Sequence, residues 1–142
     1  VSSSSTRTST TRASGRTAAP TGALRLLQAT TALSVLVLLA QYLTAGQLLT
    51  GSEGVEELHA GGAVALHVVQ GLVVVAAFLL QRATRGPAWP TGLAVLSFLI
   101  GFAQAWTGDH TSLAIHVPGA VITTVVTVWL AAWAFTGARR AA

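Results

Sequence analysis

The chain has 142 residues, of which 52% are hydrophobic and 8% charged, with a net charge of +4. A soluble domain carries about 25% charged residues, so this composition excludes a water-soluble enzyme. It also excludes a nucleic-acid binder, because the arginines are spread thinly over three segments. The absence of Cys removes disulfides, thiolate metal sites and covalent c-type haem attachment.

Residues 1–22 are rich in Ser, Thr and Arg and nearly free of apolar side chains before Ala18. Such a segment buries too little surface to fold, so a disordered tail is predicted. A first apolar stretch covers 24–44, with Arg25 placed to reach the headgroups. The acids Glu53, Glu56 and Glu57 follow it, and a second stretch covers 58–81. Gly86-Pro87-Ala88-Trp89-Pro90 reads as a tight turn with an interfacial Trp. A third stretch covers 91–107, and Asp109-His110-Thr111-Ser112 reads as a compact loop capping a fourth stretch at 113–136. Trp129, Trp133 and Phe135 form an aromatic belt at the end of that stretch.

Stretches near 20 residues span a bilayer as helices. Their short connections force antiparallel neighbours, so the predicted fold is an all-α, polytopic membrane four-helix up-down bundle. Its domain runs over 23–137, with tails at 1–22 and 138–142. Arg7, Arg12, Arg16 and Arg25 precede the first span, Arg82 and Arg85 join the second and third, and Arg139 and Arg140 follow the fourth. All four acids fall on the other side. The positive-inside rule then places both termini in the cytoplasm of a bacterial plasma membrane.

The bundle reads as two duplicated helical hairpins. Leu58-His59-Ala60-Gly61-Gly62-Ala63-Val64 and Ile115-His116-Val117-Pro118-Gly119-Ala120-Val121 share the pattern [LI]-H-x-x-G-A-V. Upstream, Ala40-Gln41-Tyr42-Leu43-Thr44 answers to Ala103-Gln104-Ala105-Trp106-Thr107 as A-Q-x-x-T. His59 lies 23 residues before Arg82, and His116 lies 23 before Arg139. At 1.5 Å per residue both stand about 35 Å from those anchors, at one level in the outer leaflet. Two imidazoles at one level on two helices meet one requirement of a haem or metal held on a two-fold axis.

Gly62 and Gly119 stand three residues past each histidine, where a missing side chain lets a flat macrocycle or another helix come close. Gln41 and Gln104 lie near the same level. Their amides are placed either to hydrogen-bond the second imidazole nitrogen or a propionate, or to join helices. His67, about 12 Å deeper than His59, is an ionisable residue near mid-bilayer and so a functional candidate. It reads as a pocket wall, a hydrogen-bonding partner or an alternative ligand. His110 reads as a solvated loop histidine or a propionate contact. Glu56, three residues before His59, either tunes a bound iron or takes part in chemistry at a macrocycle, or simply favours the helix dipole.

With these residues in view, the chain resembles one four-helix half of haem A synthase, of the cytochrome oxidase assembly family, over roughly residues 24–136. Glu56-Glu57-Leu58-His59 is similar to that family's E-x-x-H at a helix start. Gly101-Phe102-Ala103-Gln104-Ala105-Trp106-Thr107-Gly108, leading to Leu113-Ala114-Ile115-His116, carries the rest. The chain also resembles small stand-alone four-span actinobacterial membrane proteins of unassigned function. The resemblance implies haem b ligated by His59 and His116. It does not imply oxidation of a haem methyl group, because the family's second bundle is missing and Ala60 stands where the family often has an Arg.

The expected function is a b-type electron carrier rather than a catalyst. Its expected partners are the lipid bilayer and a quinol or redox partner protein, in a homo- or hetero-oligomer, without nucleic acid. The alternatives are a haem-free accessory subunit of a larger complex, or a metal- or proton-handling protein built on His59, Glu56, His67 and His116.

Overall fold

A computed structural model describes residues 19–110 and 113–138. It consists of four helices: α1 (Ala19–Leu49), α2 (Glu56–Thr84), α3 (Trp89–His110) and α4 (Leu113–Thr136). All four are long and apolar enough to cross a membrane. Each packs against its two chain neighbours, and α4 closes on α1, giving an all-α four-helix bundle. The described residues contain no strand.

The helices outrun the predicted spans where no breaker stops them. α1 begins at Ala19, four residues before the expected domain start, with Pro20 in its first turn, where a missing N–H costs nothing. The remainder of the predicted tail, 1–18, lies outside the described residues. α1 also runs on to Leu49, and the chain turns only where Gly51 and Gly54 adopt φ of 75° and 74°, a region that glycine enters freely. Asp109 and His110 close α3 instead of forming a loop, and Thr111 and Ser112 lie outside the described residues. α2 ends on Arg85 in the left-handed conformation, φ 53°, the usual geometry of a helix C-terminus.

Polarity is inverted relative to a soluble bundle. Leu36, Leu43 and Val64 are 62–71% exposed on the outside. Inside, Ser34 and Ser97 are fully buried, and Thr31, Gln70, Thr123 and Thr127 are nearly so. Lipid solvates leucine as well as a protein interior does, so association rests on close approach and interhelical hydrogen bonds. Both are present. Leu27, Val73, Ala76, Ala77, Leu80, Ala94, Leu130, Ala134 and Ala138 form a core rich in small residues at the end carrying the α2–α3 turn. There Trp89 meets Trp133 edge-on at 5.1 Å, so Trp133 turns inward and leaves Trp129 as the exposed indole of the predicted belt.

Gln70 and Thr127, each eleven residues past its histidine, meet across the bundle as Gln70 Nε2 donating to Thr127 Oγ1 at 2.9 Å. This bond joins counterpart residues of the two hairpins, and it fixes their pairing below the histidines. A double-mutant cycle of Gln70→Leu and Thr127→Val in lipid is expected to give a coupling of about 0.6 kcal/mol, and no more than about 1.7. A coupling indistinguishable from zero would deny the bond a stabilising role.

Candidate functional site

The end opposite the core carries the histidines. His59 and His116 are each the fourth residue of their helix, α2 and α4. Equivalent starts and equivalent packing therefore bring them to one level. Their ring centroids are 6.5 Å apart, with planes inclined at 64°, and both rings are half-buried.

The second nitrogen of each ring is engaged. His116 Nδ1 lies 3.1 Å from the backbone carbonyl of Gln104. A carbonyl only accepts, so Nδ1 carries the proton and Nε2 keeps its lone pair. His59 Nδ1 lies 2.8 Å from Thr44 Oγ1. That hydroxyl donates to the carbonyls of Ala40 (3.2 Å) and Gln41 (3.0 Å), which leaves its oxygen to accept from Nδ1–H. Both imidazoles are thus held in the tautomer whose free Nε2 can bind a metal.

The glutamine amides do not fill the imidazole-bonding role foreseen for them; Thr44 Oγ1 and the Gln104 carbonyl do. Each amide instead rests on the glycine of the facing helix. A methyl group on Gly62 would overlap the Gln41 amide, and one on Gly119 the Gln104 amide. The glycines thus let side chains of the neighbouring helices come close. Gln104 Oε1 is buried there without a hydrogen-bond partner. Gly108 completes the wall: a side chain there would come within 3.3 Å of the His116 ring.

His67 stands apart from the pair. It packs between Phe98 (centroids 4.4 Å) and Phe102 (3.8 Å) of α3, and its Nε2 is buried without a partner. Glu56 is the exposed first residue of α2, at the positive end of the helix dipole. The side chain of His110 is outside what the structure describes. Among the described residues no three of His, Asp and Glu gather into a set that could hold a metal ion.

Thr44 and Gly108 carry no role in the sequence reading, although Thr44 ends the repeated A-Q-x-x-T. The repeat is the signal that could have found it. Its counterpart Thr107 likewise donates to Ala103 O at 2.9 Å and Gln104 O at 3.3 Å, so both hairpins fold the motif in the same way. Second partners of ligating histidines typically contribute 10–100-fold to metal affinity. Thr44→Val is therefore expected to weaken any metal centre at His59 by that factor, measured by ligand titration. An unchanged affinity would show that Thr44 only packs.

No family model, curated protein or solved structure matches the chain.

Proposed function

We propose that the chain is a multi-pass membrane b-type haem protein, with one haem held between His59 and His116, acting in electron transfer. The observation that carries this reading is the separation of the two rings. Two metal–imidazole bonds of about 2 Å, with about 1.1 Å more from each Nε2 to its ring centre, would put the centroids about 6.2 Å apart when both nitrogens point at the metal. The observed separation of 6.5 Å is close to that length and supports the reading. Two protein ligands suit haem, whose macrocycle supplies the other four; a structural zinc site takes four protein ligands and a catalytic one three.

Haem would supply one-electron chemistry, and with His59 and His116 both holding it electron transfer would be favoured over oxygen activation. The protein's part is to orient. Thr44 and the Gln104 carbonyl hold each Nδ1–H. Gln41 and Gln104 rotate off Gly62 and Gly119, since in each case the overlapping atoms belong to the far end of a flexible side chain. The orphaned Gln104 Oε1 then gains freedom to find a partner. The resemblance to one half of haem A synthase supports the same reading, and under the positive-inside rule the arginine distribution supports an extracytoplasmic position for this end.

Titrating the purified protein in detergent with haemin is expected to saturate at one haem per chain. A titration with no break, and no absorbance beyond that of free haemin, would overturn the proposal in favour of a haem-free accessory subunit.

A further inference from the structure

The two hairpins repeat with an offset of 63 residues between α1 and α3 and 57 between α2 and α4: Gln41 answers to Gln104, Thr44 to Thr107, His59 to His116, Gly62 to Gly119. The same offsets pair the two lipid-facing seams of the bundle, α1/α4 and α2/α3. On the first seam the Tyr42 hydroxyl from α1 meets Thr124 Oγ1 of α4 at 2.8 Å. The counterparts on the second seam are Ala105 and His67.

The second seam is built differently around that pair. Gly101, counterpart of the buried Leu38, makes room for the imidazole; a side chain there would come within 2.9 Å of His67 Nδ1. Nothing takes the place of the phenol. Ala105 is exposed, and His67, the sequence counterpart of Thr124, has its Nε2 buried without a hydrogen-bond partner among the described residues. An unpaired polar group at this depth has no water to turn to. Phe98 lies beside Gly71, where an added methyl would stand 3.4 Å from its ring, while Phe102, 56% exposed, lies edge-on over the imidazole. A ring arriving from the bilayer would displace Phe102 first.

We propose that the α2/α3 seam binds the ring of a lipid-soluble quinol or quinone, whose oxygen bonds His67 Nε2 as the Tyr42 hydroxyl bonds Thr124 on the opposite seam. The missing phenol sets the size and chemistry of the occupant: one six-membered ring carrying oxygen, with an apolar body. An imidazole nitrogen pairs with either a hydroxyl or a carbonyl oxygen, so both redox forms fit. The choice of a quinol among phenolic lipids rests on the electron-transfer reading above. The seam lies eight residues, about 12 Å, from His59 along α2.

Photolabelling the full chain in lipid nanodiscs with a short-chain azidobenzoquinone, followed by peptide mass spectrometry, tests this directly. The label is expected within Leu66–Leu72 and Phe98–Ala105, and excess decylubiquinol should compete it away. Ala105→Tyr, which restores the phenol, is expected to cut labelling there at least tenfold, with the helical circular dichroism and elution volume of the wild type. His67→Phe, which keeps a ring but removes the nitrogen, should likewise reduce labelling. Label spread evenly over all lipid-facing helices, or concentrated on α1/α4, would overturn the inference in the wild type alone, whatever the variants do. The readout needs no haem: a labelled but colourless protein would sink the haem reading and leave the seam standing, and a coloured, unlabelled protein would do the reverse.

Discussion

His59→Ala and His116→Ala are each expected to abolish low-spin haem binding, whereas His67→Ala and His110→Ala leave one haem per chain. The first two variants each remove one of the two imidazoles whose centroids lie 6.5 Å apart. A centre robbed of one axial ligand is at best five-coordinate, with a broadened spectrum and affinity lowered by at least 100-fold. His67 is occupied with Phe98 and Phe102 instead, and His110 is the last residue of α3. Elution volume and helical content should match the wild type in all four, because the core is built of other residues. Retention of a wild-type spectrum in both His59→Ala and His116→Ala would remove these residues from the site.

Leu130→Ala is expected to produce the largest loss of stability among single core truncations. Leu130 is 2% exposed at the centre of the core, with its counterpart Val73 equally buried. In soluble proteins a buried Leu→Ala costs about 2–5 kcal/mol, part from transfer to water and part from the cavity left behind. In a bilayer the transfer part falls away, because lipid tails are as apolar as leucine. The cavity part remains, which puts the expected cost near 2 kcal/mol. Leu36→Ala, on the lipid-facing side at 62% exposure, is expected to cost under about 0.5 kcal/mol. Thermal unfolding in nanodiscs distinguishes them, and equal shifts would show that Leu130 does not anchor the core. Since the core and the histidines occupy opposite ends of the bundle, Leu130→Ala should still take up one haem at low temperature.

Much of this architecture is legible in the sequence. Hydropathy alone locates four helices, because a bilayer demands long uninterrupted apolar segments. The fourth, 113–136, coincides with α4, and the others run longer. α1 exceeds its apolar stretch at both ends because helix formation continues through Thr21 and Gln47 until glycines with positive φ break it. The common level of His59 and His116 follows from counting residues. Their facing does not, because it depends on how each helix is rotated once all four pack. The same limit hid the partners of the imidazoles. Transmembrane threonines commonly bond their own helix, as Thr107 does; nothing in one sequence marks Thr44 as also meeting a ring on the neighbouring helix. Gly101 and Gly108 are likewise ordinary small residues until His67 and His116 are seen against them.

The most direct measurement is the visible spectrum of the detergent-purified protein, expressed with haem supply, before and after dithionite. The account predicts a sharpened α-band and a red-shifted Soret band on reduction, the mark of six-coordinate low-spin iron between two imidazoles. A colourless protein, or a high-spin spectrum indifferent to loss of His59 and His116, would contradict it.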